Sequence, residues 1–263
     1  ENFFKIRKPQ VVIVAAAKVG GIKANMNYPA NFINDNLQIQ TNLISSSYKN
    51  KVKKLVLFGS SCVYPKNLKK PIKENQLMTG PLEITNDSYA IAKIAGIQMI
   101  ESFNRQYNTK YICLMPCNLF GPNDNYDLKN SHFIPALIKK IFQASKKKKN
   151  KVIKLWGTGK PLREVLYVDE VAEACEYFLK KKTKSNLINI GSSVEMSIKD
   201  YANKIKNKID PSVIIKFNNN KKLDGVKRKK LDISLAQRNG WKSKMNFLES
   251  LDKTIQDYKI FHN

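Results

Sequence analysis

The 263-residue sequence predicts an α/β fold, a doubly wound parallel sheet with a smaller C-terminal α/β lobe. Three observations predict it. Short apolar runs have the pattern of strands that are buried on both faces. They alternate with longer segments whose apolar residues recur at helical spacing. The alternation loosens after Asn118, where we expect the second lobe to begin.

Strand and helix patterns alternate in the first half of the chain. Residues 11–16, 53–58 and 111–115 are apolar runs of strand length. Between them, residues 31–48 and 89–107 carry apolar side chains at intervals of three and four. The order strand–helix–strand–helix–strand implies parallel strands joined by right-handed crossovers. The pattern is that of a Rossmann-like sheet.

The second half has a mixed pattern. Helical periodicity occurs at 134–145, 168–181, 198–209 and 247–258, strand-like runs at 152–156 and 187–190, and a basic loop at 221–230. We therefore expect a partial dinucleotide-binding domain at 1–118 and a mainly substrate-binding lobe at 119–263, with some elements returning to the sheet. Ligands of open α/β folds bind at the carboxyl edge of the strands.

A phosphate-binding glycine loop is missing from the beginning of this sequence. The chain starts at Glu1 and reaches its first predicted strand almost directly. Val19-Gly20-Gly21 follows that strand and lacks the G-x-x-G-x-x-G spacing. We expect the first βαβ unit, whose backbone amides hold a pyrophosphate, to lie outside this sequence, so that the chain as given binds a dinucleotide poorly.

Lysine dominates the formal net charge of +26, since 47 residues are Lys or Arg and only five of these are Arg. Lysine runs at 146–149 and 227–230 suggest a nucleic-acid surface. However, arginine, which reads guanine edges, is scarce, and the lysines are spread over the whole chain. We expect no specific nucleic-acid partner, and a solvated surface that attracts anionic metabolites.

The cysteines and the hydropathy favour a cytoplasmic protein. Cys62, Cys113, Cys117 and Cys175 lack the paired spacing of a zinc site or of a secreted disulfide framework, so we expect reduced thiols and no metal. No apolar run approaches the ~20 residues needed to cross a bilayer, so we expect no membrane partner.

Tyr89 and Lys93 carry the main chemical signal. They lie four residues apart on a predicted helix and share one face. A phenol has a pKa of ~10, which a nearby cation lowers, and Tyr89 then exchanges protons in carbonyl–alcohol interconversion. Ser60 follows the strand at 53–58, where ligands bind, although it could simply cap a turn. Together they form the Ser/Tyr/Lys arrangement of short-chain dehydrogenases.

Longer strings make the resemblance specific, and nearly the whole chain resembles the GDP-L-fucose synthases of the extended short-chain dehydrogenase class. The matching strings are AAAKVGG at 15–21, GSSCVYPK at 59–66, YAIAKIAG at 89–96, NLFGPNDN at 118–125, SH at 131–132, IPAL at 134–137, WGTG at 156–159, RE at 163–164, DG at 224–225 and RK at 228–229.

The resemblance implies a bifunctional epimerase-reductase. GDP-4-keto-6-deoxy-D-mannose would be epimerised at C3 and C5 and then reduced at C4 with NADPH. Tyr89 would protonate the C4 oxygen, Lys93 would tune Tyr89 and hold the nicotinamide ribose, and Ser60 would bind the sugar oxygen. Cys62 and His132 would be the base and acid of epimerisation. Their ordinary pKa values of ~8.5 and ~6.5 suit that exchange, although Cys is often only a small buried side chain and a single His is often structural.

The resemblance also assigns binding residues and a homodimer. The cofactor site would include Phe58, Gly59, Ser60, Ser61, Lys93, Pro116, Cys117, Asn118, Leu119 and His132, and the GDP-sugar site would include Lys140, Trp156, Arg163 and Asp224. Lys140 stands where the family usually has Arg, which loses the forked geometry for diphosphate. Cys117 stands where Thr is usual.

Two alternatives remain open. A nucleotide-sugar 4-epimerase or 4,6-dehydratase with tightly bound NAD would have the same Ser, Tyr and Lys, although a dehydratase is expected to carry an acidic residue near the Ser, where this loop has Cys62. The other alternative is a non-catalytic remnant with a basic, anion-binding surface, which the missing glycine loop favours.

Overall fold

The computed structural model describes residues 1–66, 68–221 and 224–262, without the side chain of Lys23. In chain order the elements are α1 (Asn2–Arg7), β1 (Val11–Val14), α2 (Ile22–Asn27), α3 (Pro29–Lys49), β2 (Lys54–Phe58), α4 (Asp87–Tyr107), β3 (Tyr111–Pro116), β4 (Asn118–Phe120), α5 (Phe133–Ser145), β5 (Val152–Leu155), β6 (Leu162–Tyr167), α6 (Val168–Lys180), β7 (Leu187–Ile190), β8 (Glu195–Ser197), α7 (Ile198–Ile209), β9 (Ile214–Phe217), β10 (Arg228–Lys229), α8 (Ser234–Arg238) and α9 (Phe247–His262).

A four-stranded sheet in the order β1-β2-β3-β7 forms the centre of the first lobe. All three pairings are parallel, so the strands end along one edge. The middle strands β2 and β3 are almost fully buried, as their continuous apolar runs predict. This confirms the predicted α/β fold with a parallel, Rossmann-like sheet.

Strand β1 differs from its prediction of burial on both faces. Val11 and Ile13 are about half exposed, at 44% and 50%. These two side chains share one face of the strand, since alternate residues point the same way. The physical reason is that β2 is the only strand paired with β1 in the described part of the chain, and the face that carries Val11 and Ile13 is uncovered there.

Helices α3 and α4 pack side by side against the sheet. The buried amide of Gln40 on α3 donates a hydrogen bond to the carbonyl of Ala92 on α4. Near the other end of the pair, the ring of Tyr48 stacks on that of Tyr107 with centroids 4.1 Å apart. In the last turn of α4, the side-chain amide of Asn104 donates to the carbonyl of Tyr111 and its oxygen accepts the Tyr111 N–H, which closes the turn into β3.

The second lobe has its own sheets and its own core. Strand β6 pairs in parallel with β4 and β10 and antiparallel with β8, while β5 pairs with β9. Strand β10 lies within the segment expected to be a basic loop at 221–230, so that part of the prediction was wrong, and residues 222 and 223 lie outside the described residues. The reason is that β10 pairs with β6, which provides hydrogen-bond partners for the backbone of β10.

The chain returns to the first lobe after entering the second. Strand β7 pairs with β3, and Leu231, Ile233 and Trp241 join the core beneath the first sheet. The second core is formed by α5, α7 and α9 with β5 and β6. Returning elements were expected from the sequence, whereas the domain boundary at residue 118 stays a prediction.

Helices lie at both ends of the described chain, and they were not fully predicted from the sequence. Helix α1 precedes β1, so the first strand is not reached directly. Helix α9 extends to His262, beyond the helical periodicity at 247–258, and the His262 ring stacks on Tyr258 with centroids 5.6 Å apart. Within the described ranges, no helix is long and apolar enough to cross a bilayer.

Candidate active site

Ser60 and Cys62 lie directly after β2, at the carboxyl edge of the sheet. Residues Ser61–Val63 form a single 3-10 turn that Ser60 caps by accepting a bond from the backbone N–H of Cys62. The thiol of Cys62 also lies 3.2 Å from the Ser60 hydroxyl oxygen. Ser61 and Cys62 are buried beneath the loop, at 4% and 6% exposure. The turn therefore places a hydroxyl and a thiol side by side.

Tyr89 and Lys93 approach this turn from α4. The Tyr89 phenol lies close enough to the side chain of Ser60 to be influenced by it, so Ser60 has both the phenol and the thiol as neighbours. Lys93 is buried and its Nζ donates to the carbonyl of Phe58, at 2.9 Å, the last residue of β2. We call Ser60, Cys62, Tyr89 and Lys93 the phenol–thiol cluster. The structure brings together these four residues predicted from the sequence.

Burial controls the titration of Tyr89 in this cluster. Desolvation raises the pKa of its phenol, the nearby Cys62 raises it further, and the neighbouring Ser60 side chain only partly offsets this. The spacing of Tyr89 and Lys93 predicted that the ammonium lowers this pKa. Instead the Lys93 ammonium is bound to the Phe58 carbonyl, 5.9 Å from the centre of the Tyr89 ring. Tyr89 is therefore a proton donor around neutral pH.

Lys93 is affected in the opposite direction. Burial lowers its pKa, and the neighbouring thiols of Cys113 and Cys62 oppose that change. Cys113 lies deeper in the sheet, where desolvation raises its pKa to about 12. A thiol in that state is inert. Cys62 is thus the cysteine placed for chemistry.

His132 lies in a different part of the chain, the segment between β4 and α5. It is the exposed residue that precedes α5, and its ring lies near the carboxyl group of Asp124. The preceding turn contacts the start of α2, since Gly21 N–H donates to the carbonyl of Asn130 at 3.2 Å. Within the described ranges, no hydrogen bond or ring contact joins the His132 side chain to Cys62 or Tyr89. Its pairing with Cys62 stays a prediction.

The predicted cofactor loops follow β2 and β3. Phe58, Gly59, Ser60 and Ser61 surround the end of β2, and Pro116 to Leu119 connect β3 to β4. Asn118 does not project freely, because its amide donates to the carbonyl of Glu164 at 3.1 Å. The Cys117 thiol is buried against the carbonyl of Asn118, and burial raises its pKa well above the usual value. Cys117 therefore has a packing role in this structure.

Trp156 and Lys140 form an exposed pair in the second lobe. The Trp156 side chain follows β5 and is 65% exposed, so it does not belong to the core. The Lys140 ammonium lies 5.6 Å from the centre of its ring, a cation–π distance. Burial lowers the pKa of Lys140. An exposed Trp beside a cation is a surface on which a base and a phosphate can bind together.

Hydrogen bonds hold both Arg163 and Asp224 in place. Arg163 donates to backbone carbonyls, and Asp224 accepts from Thr158 in the turn after Trp156. Arg163 donates to the carbonyls of Val226 at 2.7 Å and Leu162 at 2.8 Å. The carboxylate of Asp224 accepts from the N–H and the hydroxyl of Thr158, at 2.7 and 2.8 Å. Asp224 thus shapes the turn after Trp156. Its predicted contact with the GDP-sugar stays a prediction.

That turn also requires a glycine at position 157. Gly157 has φ +75°, which is favourable only without a side chain. A Cβ there would lie 2.4 Å from Oδ1 of Asp224. The glycine lets the turn close onto the carboxylate, which fixes Trp156 relative to Arg163.

Lys229 is a further cation near the site, to which no role was assigned from the sequence. Its position is on β10 opposite Arg163, and its side chain is partly buried. Burial lowers its pKa, the Cys62 thiol opposes that change, and Arg163 adds to it. Lys229 therefore lies within electrostatic range of both Cys62 and Arg163. We call Lys140, Arg163 and Lys229 the cationic face. Among 42 lysines, nothing in the sequence except the short RK string distinguishes Lys229.

Known proteins share this sequence and fold. The NAD dependent epimerase/dehydratase family matches residues 1–191. GDP-L-fucose synthase 1 of Arabidopsis thaliana is 45% identical over 258 residues, 98% of this chain and 79% of that protein. GDP-L-fucose synthase of Escherichia coli is 41% identical over 264 residues, 97% of this chain and 82% of that protein.

A solved structure agrees with these sequence matches. A GDP-L-fucose synthetase from Naegleria fowleri bound to NADP superimposes with a TM-score of 0.88 at 29% identity, covering 98% of this chain and 78% of that one. Fold, sequence and family match therefore lead to the same assignment. The chain belongs to the NAD dependent epimerase/dehydratase family and, within it, to the GDP-L-fucose synthases.

Proposed function

We propose that this protein converts GDP-4-keto-6-deoxy-D-mannose to GDP-L-fucose, by epimerisation at C3 and C5 followed by reduction of the C4 ketone with NADPH. The observation that carries the proposal is the phenol–thiol cluster, in which Ser60 has both the phenol of Tyr89 and the thiol of Cys62 as neighbours. One ketosugar oxygen near Ser60 would lie close to a proton donor for reduction and to a base for epimerisation.

Reduction requires a proton for the C4 oxygen. Tyr89 is suited to supply it, because burial keeps its phenol protonated around neutral pH. Ser60 would hold the same oxygen through its hydroxyl. NADPH, when bound, supplies the hydride that reduces the carbon. The protein's own contribution is to orient the ketone and deliver the proton.

The cluster suits a nicotinamide cofactor. The buried ammonium of Lys93 makes one hydrogen bond in the described part of the chain, to the carbonyl of Phe58, and so has N–H groups for the hydroxyls of a ribose. The loops at Phe58 to Ser61 and Pro116 to Leu119 flank it at the same edge, and His132 would complete the site. The name of the Naegleria fowleri relative supports NADP as the cofactor.

Epimerisation uses the acidity that a ketone gives to its neighbouring carbons. Cys62 would remove a proton from C3 or C5, the electron pair would move onto the C4 oxygen, and Ser60 and Tyr89 would stabilise it by hydrogen bonds. A proton from His132 would then arrive on the opposite face. Lys229, within electrostatic range of Cys62, would stabilise the negative charge that develops on the sugar.

The cationic face would bind the GDP part of the substrate. Arg163 and Lys229 are adjacent in the β6–β10 pairing, where two cations suit a diphosphate. Trp156 would stack on the base, with Lys140 beside it. Asp224 would contact the GDP-sugar from the turn that it closes.

The broader setting follows the family resemblance. We propose a cytoplasmic homodimer that acts on a small nucleotide sugar, without a nucleic-acid or membrane partner. The scarcity of arginine among the 47 basic residues supports the first of these exclusions.

The decisive experiment separates epimerisation from reduction. In the full-length protein, Cys62→Ser should slow exchange of the C3 and C5 protons with deuterated solvent by about 10²–10⁴-fold, because a hydroxyl is a poor base at neutral pH. Direct C4 reduction of unepimerised ketosugar should continue, as measured by NADPH oxidation. Cys175→Ser is the matched control, since Cys175 is a buried thiol on α6 outside the cluster.

Other outcomes would contradict the proposal. Equal loss of exchange and reduction in Cys62→Ser would remove the role given to the thiol. Turnover of a nucleotide sugar without net NADPH consumption would favour a 4-epimerase or 4,6-dehydratase. Salt-dependent RNA binding without turnover would favour the non-catalytic alternative.

A further inference from the structure

We infer that Glu164 is a positioning residue, whose buried carboxylate holds the backbone that carries Lys229 against the strand that carries Arg163. The inference deepens the proposed function and rests on it, because its purpose is to keep these two cations at the separation that a diphosphate requires. Nothing in the reaction chemistry described above uses Glu164 itself.

The carboxylate of Glu164 is buried, and each of its oxygens accepts a backbone N–H. The residue is 0% exposed, which is rare for glutamate. One oxygen accepts the N–H of Ser193 at 2.7 Å, and the other accepts the N–H of Leu231 at 2.8 Å. Desolvation raises the pKa of Glu164, and the two amide bonds oppose that change. A buried acid is tolerated when such bonds replace its hydration.

The neighbouring side chains of Arg163 and Glu164 on β6 contact different segments. Successive residues of a strand point to opposite sides. Arg163 reaches the carbonyls near β10, whereas Glu164 reaches two loops from the buried side. One strand thus presents a cation of the proposed diphosphate site and anchors the segment that presents the other.

The segment with Lys229 is held on both sides of that residue. Before it, Leu162 N–H donates to the carbonyl of Lys227 at 2.9 Å, and Lys229 pairs with Arg163. After it, Leu231 is bound to Glu164. Strand β10 has only two residues, so its ladder alone fixes little. Two further contacts flank Lys229: Arg228 pairs with Glu195, and the Ile72 N–H donates to the carbonyl of Lys230 at 2.9 Å. The Glu164 carboxylate is the anchor that reaches this segment from the buried side.

The loop after β7 also packs closely against the Glu164 carboxylate. A Cβ added to Gly191 would lie 2.4 Å from the Oε1 atom of Glu164. Only glycine lets the loop after β7 approach the carboxylate and place the Ser193 N–H on it. The site therefore joins β6, the end of β7 and the end of β10 through one side chain.

The test measures GDP binding by calorimetry in the full-length protein. A glutamine amide can accept one of the two N–H groups and must turn its own N–H₂ toward the other. Glu164→Gln should therefore release one anchor and raise the Kd for GDP by about tenfold. Glu164→Asp keeps the charge but is shorter, so it should lie between Glu164→Gln and the wild type and serves if Glu164→Gln folds poorly.

Asn104→Ala is the matched control for a merely structural effect. Asn104 also makes two backbone hydrogen bonds, both to Tyr111, but at the amino end of β3. It should lower Tm and leave the Kd for GDP unchanged. If Glu164→Gln and Glu164→Asp likewise lower Tm without changing the Kd, the inference is overturned.

A double-mutant cycle identifies the residue through which Glu164 acts. In a Lys229→Ala background, adding Glu164→Gln should change the Kd for GDP much less than it does in the wild type. Full additivity would overturn the inference while GDP binding by the wild type still supports the proposed function. Absence of GDP binding in the wild type would overturn both.

Discussion

The phenol–thiol cluster and the cationic face meet near Cys62, but different interactions hold them in place. In the cluster, side chains bond to one another or to the adjacent strand end, as Ser60 does to Cys62 and Lys93 to Phe58. In the cationic face, Arg163 is held by backbone carbonyls of a distant loop. Lys229 lies in a two-residue strand, its chain neighbours bond to Glu195, Ile72 and Glu164, and by our inference Glu164 positions it.

The two regions therefore depend on different parts of the molecule. The cluster comes from two elements that pack closely, α4 and the turn after β2, and is mostly buried. The face comes from α5, β6, β10 and the turns around Trp156 and Asp224. Changes to the cluster should therefore affect the chemical step, whereas changes to distant loops should affect binding.

The largest expected effect tests whether the two regions are independent. Tyr89→Phe removes the phenol hydroxyl but keeps the ring and its edge contact with Phe32, whose centroid is 6.3 Å away. Reduction, followed by NADPH oxidation, should fall by about 10²–10⁴-fold because the proton donor is lost. The Kd for GDP should not change. A parallel loss of GDP affinity would mean that the regions are one cooperative unit.

A smaller effect is expected from the turn that supports the cationic face. Gly157→Ala introduces a Cβ at φ +75° and 2.4 Å from Asp224 Oδ1, so the turn must shift. We expect about tenfold weaker GDP binding, about 1.4 kcal/mol, with C3 and C5 proton exchange unchanged at saturating substrate. Slower exchange under those conditions would contradict the separation.

Gly225→Ala is a matched control for this variant. Gly225 has a similar φ of +62°, but the nearest atom that its Cβ would meet is 3.8 Å away. It should lose about 1 kcal/mol of stability from backbone strain alone and change GDP binding less than Gly157→Ala. Equal effects would assign the loss to strain rather than to contact with Asp224.

The two regions also differ in how much of them the sequence predicts. Tyr89, Lys93 and Ser60 follow from helical spacing and from the position after a strand, because these are local patterns. The spacing could not show that Lys93 bonds to the Phe58 carbonyl, since that depends on how α4 packs against β2. For the same reason, the raised pKa of Tyr89 was unexpected.

In the cationic face, Lys229 and the contacts that hold the face required the structure. Lys140 and Arg163 were predicted through the family resemblance, but Lys229 is one lysine among 42. Glu164 is an ordinary acid in a strand until its carboxylate meets the N–H of Leu231, 67 residues away. Likewise, Asp224 bonds to Thr158 across 66 residues. Contacts at such separations leave no periodic pattern.

The smallest expected effect lies outside both regions. Asp210 follows α7, and the hydrogen bond from Lys151, followed by those from Ser212, lowers the pKa of its carboxyl to about 2. A lowered folded-state pKa stabilises the protein above the unfolded value near 4, and this stability is lost as pH falls through about 2. Asp210→Asn should reduce the acid dependence of urea unfolding between about pH 4 and about pH 2. At neutral pH, GDP affinity and turnover should match the wild type.

The route of the chain between its two cores has a consequence for recombination among relatives. Strand β7 returns to the first sheet after β6, and the chain then enters the second core with α7. It rejoins the first core from Leu231 to Trp241 and ends in the second core with α9. A chimera that exchanges the substrate lobe with a homologue would therefore need several junctions. A single junction near residue 118 would combine elements of two different proteins within each core, because residues after 118 contribute to both cores. Substrate preference should therefore be transferred by exchanging individual loops.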